Sequence, residues 1–190
     1  MYITQIKLDL NNRLLYKDLT NLHRYHGYLE SAFPAEQLLN VRKRHLWRLE
    51  NQTILLVSED EPDHKVLNKY GNSQSKNYDK FLNNLSTKRM YRFELVANPL
   101  QRDKRKRIPC SGSKQRIDWL RNQSEYHGFK LQDVRIKKVK KYHIDRHDFT
   151  VKTVDFAGYL EITDLPKFKK ALVNGIGREK AYGCGLLTVM

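Results

Sequence analysis

Residues 45–58, HLWRLENQTILLVS, contain two apolar runs on either side of the pair Asn51-Gln52. Short runs of this kind across a two-residue turn predict a β-hairpin. Upstream of the hairpin, apolar residues recur at steps of four and three through residues 15–33, which predicts one helix that ends at Phe33-Pro34. Residues 2–10 alternate between apolar and polar side chains, which predicts a half-buried strand before that helix.

The rest of the chain completes this order and then repeats it. Residues 62–85 are polar and rich in turn residues, with room for one or two short helices, and a strand follows at 90–99. The second half predicts, in order, a helix at 113–128 capped by Gly128, a basic strand at 129–146, a strand at 151–163 with a bulge at Gly158, a helix at 165–175 and a closing strand, LLTVM.

Strand, helix, two strands, helix, strand is the ferredoxin-like order, and the sequence predicts it twice. We therefore expect an α+β protein with two tandem ferredoxin-like (RRM-like) domains. The strand at 90–99 can close the first domain or open the second, and we place the boundary just before it. The predicted domains are residues 1–89, which contain the first helix, and residues 90–190. Sheets of this kind often bind RNA, although a fold alone does not establish a function.

The charge of the chain is strongly positive and unevenly distributed. Thirty-six Lys and Arg against 21 Asp and Glu give a formal net charge of +15. Residues 1–95 hold 15 Lys and Arg against 11 Asp and Glu, a net of +4, whereas residues 96–190 hold 21 against 10, a net of +11. A basic surface also serves solubility, but an excess this large and localised favours a polyanion as partner, because each phosphate contact releases condensed counterions.

The two cysteines, Cys110 and Cys184, lie far apart and in no metal-binding spacing. This usage is typical of a reducing cytosol and argues against a structural zinc site. The first residues lack an apolar signal core, and no apolar run approaches the length of a membrane span. We expect a cytoplasmic protein without a membrane partner and without a bound metal.

Four glycines fall within residues 175–185, GIGREKAYGCG. Glycine lets a backbone approach a ligand and present N–H groups to an anion, and the two cations of the segment add charge-assisted bonds. The segment runs from a helix to a strand, so it is neither a P-loop nor a Rossmann turn, and no nucleotide cofactor is implied. A plain connection of this kind needs only one capping glycine. The candidate RNA-binding residues are Gly175, Gly177, Arg178, Lys180, Gly183 and Gly185.

Two basic runs lie in the second half of the chain. RIKKVKKYH (135–143) has five cations interrupted by two apolar residues, which predicts a strand presented as one arm of a hairpin. Such an arm suits phosphate contacts along an RNA stem, although lysines also protect an exposed edge strand from aggregation. RDKRKR (102–107) has five cations too, and a loop or solvated edge is nearly as good an interpretation there. The candidate phosphate contacts are Lys137, Lys138, Lys140 and Lys141.

The first helix carries His23 and His26, which are three residues apart and therefore near neighbours on one helical face. Imidazole titrates near neutral pH, so such a pair suits acid–base chemistry. His26 also falls on the apolar stripe of the helix, where a hydrogen-bonded core histidine is the commoner outcome. A metal pair would need a third ligand, and none is evident in the sequence.

The sequence resembles the type I-E CRISPR-associated endoribonucleases, the CasE family that matures guide RNA within the Cascade complex. The histidine helix and the glycine-rich segment are its most specific motifs. The matching segments are MYITQIKLD (1–9), NLHRYHGYLESAFP (21–34), HLWRLE (45–50), YRFELVANPLQR (91–102), KRIPC (106–110), WLRNQSEYHGFKL (119–131), TVDFAGYLEITD (153–164) and GIGREKAYGCGLLTV (175–189).

This resemblance implies tandem ferredoxin-like domains and cleavage at the 3′ base of a CRISPR repeat hairpin, without a metal or cofactor. The substrate's own 2′-OH attacks the adjacent phosphate, which leaves a 2′,3′-cyclic phosphate and a 5′-OH. The enzyme then stays on its product as a subunit of Cascade. The alternative is a non-catalytic RNA-binding subunit, which would be favoured by the absence of a competent histidine.

The resemblance also implies roles for particular residues. His26 is the catalytic histidine, and the glycine-rich segment lines a cleft between the domains beside the RNA. His23 stands where some relatives have a tyrosine, and it either supplies the second proton transfer or orients phosphate. Ser31 stands where some relatives have a lysine, so Arg24, Lys180 or another cation supplies the positive charge.

Overall fold

The structure, a computed structural model, describes residues 1–41, 43–87, 89–104, 106–144 and 149–190, and all of their side chains except that of Gln37. The chain divides into two compact units. The first is Met1–Asn84 together with Ala181–Gly183, and the second is Leu85–Lys180 together with Cys184–Met190. The domain boundary expected after residue 89 stays a prediction, because compactness does not test whether either part folds by itself.

The first unit is built on one four-stranded sheet. Its elements are β1 (Tyr2–Leu8), α1 (Arg13–Asp18), α2 (Leu22–Glu30), α3 (Pro34–Leu38), β2 (Leu46–Glu50), β3 (Thr53–Ser58), α4 (His64–Leu67), β4 (Gly71–Asn77) and α5 (Asp79–Asn83). The strand order is β2-β3-β1-β4, and every pairing is antiparallel. The predicted first strand and the predicted hairpin are confirmed, and side chains along β1 alternate between buried and exposed from Thr4 to Leu8.

The single helix predicted over residues 15–33 is wrong, because the chain forms two helices there. Asn21 has an extended backbone, and its side-chain oxygen accepts the N–H of Arg24, which begins α2 as a new helix. Asn12 caps α1 in the same way. The apolar stripe still reaches the core through Leu15, Leu19, Leu22, Leu29 and Phe33. Pro34, predicted to end a helix, begins α3 instead, a position that proline favours.

Strand β4 lies within residues 62–85, where the sequence predicts only turns and short helices. Its sequence, GNSQSKN, contains no large apolar side chain, so no alternating pattern marks it as a strand. It pairs with β1 in continuous register, from Tyr2 opposite Asn77 to Leu8 opposite Gly71, at the edge of the sheet. The neighbouring strand, rather than the local sequence, therefore determines the structure of this segment.

The second unit is built on a second four-stranded sheet. Its elements are β5 (Met90–Ala97), β6 (Leu100–Asp103), β7 (Lys106–Pro109), α6 (Ser113–Tyr126), β8 (Phe129–Ile144), β9 (Phe149–Ile162), α7 (Leu165–Asn174) and β10 (Leu187–Val189). The antiparallel order β10-β5-β9-β8 repeats the pattern of the first sheet, since the opening strand lies between the third and the last. The predicted strand at 90–99 thus opens the second unit, and the α+β class with two ferredoxin-like sheets is confirmed.

The pairing of β8 with β9 is irregular, and the predicted bulge at Gly158 is misplaced. The register shifts lie in β8, between Leu131 and Asp133 and between Ile136 and Lys138. A Cβ atom at Gly158 would stand 2.1 Å from the carbonyl oxygen of Asp133. Close approach of the partner backbone therefore explains the glycine in β9.

In the second basic run, for which a loop or solvated edge is nearly as good an interpretation as a phosphate contact, residues 102–103 lie in β6 and residues 106–107 in β7 of a small hairpin. Arg102 lies opposite Arg107 across this hairpin. Lys104 has a φ of 50°, in the left-handed region that tight turns require. Arg105 of this run lies outside the described residues, as do residues 145–146 of the predicted basic strand.

Candidate functional site

Helix α2 presents its two histidines on a well-anchored scaffold. The Asn21 cap begins the helix, and Leu22, Tyr28 and Leu29 bury its inner face. His23 is half-buried, and Arg24 is exposed. The side chain of His26 is 25% exposed, so His26 is not a fully buried core residue.

His23 and Arg24 line a depression of about 580 Å³ in the first unit. The tertiary structure adds two cations to this depression, Lys17 and Lys69, which the sequence did not single out. The Nζ atom of Lys69 lies 3.0 Å from the Asp18 carboxylate. Ser31, which stands where some relatives carry a lysine, also lines the depression, and its hydroxyl donates to the carbonyl of Tyr28.

His26 takes part in a chain of side chains on the neighbouring side of α2. Its Nδ1 atom is buried and lies 3.7 Å from Oε1 of Glu30, one helical turn further on. The same Oε1 atom lies 3.0 Å from Nδ1 of His45, and Nε2 of His45 lies 3.2 Å from Oε1 of Glu36. His45 also stacks on Phe33, with ring centroids 3.8 Å apart. Glu30 therefore joins the candidate catalytic histidine to a buried, fully enclosed imidazole.

Two carboxylates surround His45, whose side chain is only 1% exposed. Burial by itself lowers the pKa of His45, but hydrogen bonds and charge from Glu30 and Glu36 outweigh it, so the pKa is raised above its ordinary value. The interaction of protonated His45 with these two carboxylates stabilises the fold fully below the ordinary histidine pKa. This stability is lost as the pH rises through the raised pKa of His45. Glu30 could have been identified from the sequence, because it lies four residues after His26 on the same helix. No local sequence pattern identifies His45 as part of the site.

The glycine-rich segment needs its glycines for backbone geometry. Gly175, Gly177, Gly183 and Gly185 all have positive φ, between 73° and 93°. The prediction that these glycines present N–H groups to an anion fails at two positions, because Gly175 donates to Ala171 and Gly185 donates to Val96. A Cβ atom at Gly183 would stand 3.0–3.3 Å from three ring atoms of Trp47.

Replacing Gly183 with alanine is expected to lower the free energy of unfolding by about 1–3 kcal/mol, because a positive φ and the Trp47 ring both oppose a side chain there. Gly27→Ala is the control, since a Cβ at Gly27 meets nothing within 4 Å. Urea denaturation should show that the control is as stable as the wild type or up to about 1 kcal/mol more stable, because alanine favours a helix interior. Equal effects of the two substitutions would contradict this explanation of Gly183.

The same segment borders a depression of about 510 Å³ in the second unit, together with hairpin β6–β7 and helix α6. Its lining combines four cations with amide and ring side chains: Arg102, Arg107, Arg178, Lys180, Asn98, Gln101, Gln123, Trp119 and His127. The ammonium of Lys180 donates to the carbonyl of Gly177 and so closes the loop on itself. Burial and the charge of Lys180 lower the pKa of His127, which keeps that ring neutral. Such a lining suits a phosphate and a base together.

The predicted basic arm is strand β8, at the edge of the second sheet. Lys138 and Lys141 are exposed, and Lys140 is half-buried. Lys137 falls at a register shift, and its Nζ atom donates to Oε1 of Glu94 at 3.1 Å. Lys138, Lys140 and Lys141 thus lie on the edge strand of the sheet, whereas Lys137 is paired with a carboxylate of the same unit.

Within the described ranges, no group of three or more His, Cys, Asp or Glu side chains is arranged to hold a metal ion. Cys110 and Cys184 are both buried thiols. Burial raises the pKa of Cys184 to about 12, so this thiol is not a nucleophile. Among the same residues, no helix has the length and apolar character needed to cross a membrane.

The whole chain is similar to known CRISPR proteins. The profile of the family described as CRISPR associated protein matches residues 1–190. The CRISPR-associated endoribonuclease Cse3 of Thermus thermophilus is 30% identical over 211 residues, which span 100% of this chain and 99% of that protein. A structure of Thermus thermophilus Cse3, bound to an RNA representing a pre-cleavage complex, has a TM-score of 0.88 with this chain and is 30% identical, with 100% and 98% of the two chains covered.

Two more distant structures share the fold. Cas6e from Escherichia coli has a TM-score of 0.73 at 22% identity, over 100% of this chain and 98% of its own. A chain of a CRISPR RNA-guided surveillance complex has a TM-score of 0.70 at 22% identity, over 100% and 99%. At this level of identity the likeness establishes the architecture and nothing further.

Two ferredoxin-like sheets, a capped helix with two histidines and a basic second unit are features expected of the class of RNA-binding proteins. The match over residues 1–190 and the 30% identity to Cse3 narrow that class to one family. The chain belongs to the CRISPR-associated protein family and is a homologue of the endoribonuclease Cse3.

Proposed function

We propose that this protein is an endoribonuclease that binds the CRISPR repeat hairpin and cleaves precursor CRISPR RNA at the 3′ base of the stem. One observation carries the proposal: a partly exposed histidine, His26, lies beside a carboxylate on a capped helix. Aligning a histidine in this way serves proton transfer. The 30% identity to Cse3 over the whole chain supports the same activity.

The proposed reaction uses only groups of the RNA and of the protein. The 2′-oxygen bonds to the adjacent phosphorus as a base removes its proton, and the bond from phosphorus to the 5′-oxygen breaks as an acid protonates that oxygen. The products are a 2′,3′-cyclic phosphate and a 5′-OH. Cations stabilise the charge that develops on the phosphate oxygens.

We assign one proton transfer to His26. His23 lines the cationic depression together with Arg24 and Lys17, so we assign this second histidine either to the other proton transfer or to orienting the phosphate. Arg24 is exposed and supplies positive charge there, and Lys17 is a second candidate for that role. Ser31 carries no charge, which is why cations from elsewhere on the same depression are needed.

The RNA-binding surface in this proposal has two parts, and the cations of both lie in the strongly basic second unit. Arg178, Lys180 and Gly177 border the depression next to hairpin β6–β7, and Gly175, Gly183 and Gly185 give the loop its shape. Lys138, Lys140 and Lys141 follow the edge strand β8, with Lys137 beside them. Contacts of this kind recognise the shape and charge of an RNA stem.

The proposal extends to partners and location. We propose that the protein stays bound to its product as a subunit of Cascade, and a similar chain is part of a CRISPR RNA-guided surveillance complex. The RNA substrate is a transcript inside the cell, so we propose a cytoplasmic location. The domains of the proposal are residues 1–89, with the histidine helix, and residues 90–190.

Incubation with the repeat RNA of a neighbouring CRISPR array tests the proposed function directly. Cleavage is expected to continue in EDTA and to leave 2′,3′-cyclic phosphate ends, because the attacking group is the RNA's own 2′-OH. Mass spectrometry of the products, with an RNA carrying a 2′-deoxy nucleotide at the cleavage position as control, reads both results. Loss of activity in EDTA would indicate a metal nuclease, and binding without cleavage would favour the non-catalytic RNA-binding subunit.

A further inference from the structure

We infer that Glu30 is the positioning residue of His26, and that His45 holds Glu30 in place. The inference deepens the proposed function, since it concerns the histidine to which that function assigns a proton transfer. It begins from the geometry of one carboxylate oxygen, Oε1 of Glu30, which lies 3.7 Å from Nδ1 of His26 and 3.0 Å from Nδ1 of His45.

The orientation of the His26 ring follows from which of its atoms are buried. Its Nδ1 atom is inaccessible to solvent, whereas the side chain as a whole is 25% exposed, so the exposed part of the ring consists of other atoms. A distance of 3.7 Å is that of an ion pair rather than of a hydrogen bond, and catalytic hydrogen bonds often tighten only when substrate binds. With Nδ1 directed at Glu30, Nε2 is the nitrogen that meets the RNA.

The carboxylate of Glu30 then has two effects on the ring. It accepts a hydrogen bond from a proton that stays on Nδ1, which leaves Nε2 of the neutral ring as the proton acceptor. Its negative charge also stabilises the imidazolium, which carries a proton on Nε2 that can be donated. A carboxylate placed behind an imidazole orients the ring in the same way in the Ser-His-Asp triad.

His45 fixes the carboxylate. This ring is 1% exposed, stacks on Phe33, and directs one nitrogen at Glu30 and the other at Glu36. An imidazolium between two carboxylates donates a hydrogen bond to one oxygen of each, so protonated His45 holds Oε1 of Glu30 in a defined position. Two titratable side chains face Glu30 at the distances given, His26 on its own helix and His45 just before β2, and Glu36 on α3 pairs with His45.

The structure offers a matched pair of substitutions. Glu30→Gln and Glu36→Gln each remove one negative charge from His45 with almost no change in volume, but only Glu30 also faces His26. Histidine ring resonances in NMR spectra of the RNA-free protein report the protonation midpoint of His26 directly. We expect this midpoint to move to lower pH in Glu30→Gln and to stay near that of the wild type in Glu36→Gln.

Cleavage provides the second readout. In single-turnover assays Glu30→Gln should shift the pH–rate profile in the same direction and reduce the rate by about tenfold or more, with the Kd for the hairpin unchanged. Glu36→Gln should keep the profile of the wild type. A His26 midpoint that is equal in wild type and Glu30→Gln would overturn the inference, and so would equal shifts in both variants. The NMR titration needs no cleavage, so a wild type that binds RNA without cutting it would refute the proposed function and leave this test intact.

Discussion

Replacing His26 with alanine is expected to slow cleavage of the repeat hairpin by about 10²–10⁴-fold, the usual contribution of a general acid or base. Binding of the hairpin should stay near the wild-type level, because the cations of β8 and of the glycine-rich segment remain in place. Single-turnover cleavage and filter binding with the same RNA measure the two quantities. A variant that cuts at the wild-type rate would remove His26 from the mechanism.

Three controls sharpen this result. His23→Ala reports the second histidine, and we expect a smaller loss of rate if His23 only orients the phosphate. A loss as large as that of His26→Ala would instead identify His23 as the partner in proton transfer. Added imidazole should restore part of the activity of His26→Ala, since it replaces the missing proton carrier. Thermal unfolding of each variant shows that the loss is not a loss of fold.

Removing the charges of the basic arm is expected to weaken hairpin binding strongly and to flatten its dependence on salt. Each lysine that contacts a phosphate contributes about one unit to the slope of log K against log salt concentration. In the triple variant Lys138→Gln, Lys140→Gln, Lys141→Gln, the slope of log K against log salt concentration should therefore decrease in magnitude by about two to three units. Charge reversal at the same positions should have a larger effect. Filter binding between low and high salt gives the slope.

The fourth lysine of the arm distinguishes the contact model from a general effect of charge. Lys137 is held by Glu94, so Lys137→Gln alone should change the slope less than Lys138→Gln alone. Lys65, Lys76 and Lys80 are exposed in the first unit, and replacing these three with Gln removes the same net charge as the triple variant. The arm has no special role if this control variant flattens the slope as much as the triple variant does.

Most of the fold could be predicted because local patterns record burial. Three such patterns indicate which face of an element is buried: the alternating apolar residues of β1, the two apolar runs around Asn51, and the spaced leucines of the first helices. The histidine helix, the glycine-rich segment and the concentration of charge in residues 96–190 were visible for the same reason, since each is a property of consecutive residues. The ferredoxin-like order followed from the predicted elements except for β4, the closing strand of the first sheet, which the sequence did not predict.

The tertiary structure decided what depends on residues far apart in the chain. Strand β4 is polar and becomes a strand only through its pairing with β1. Glu30 and His45 meet although they are 15 residues apart, and Glu94 reaches Lys137 across 43 residues. Sheet register and packing bring these groups together, and no short stretch of sequence encodes either of them. The sequence by itself therefore determined the class of fold and the helix that carries the histidines, whereas the tertiary structure supplied His45 behind Glu30 and distinguished Lys137, which is paired with Glu94, from the other lysines of the arm.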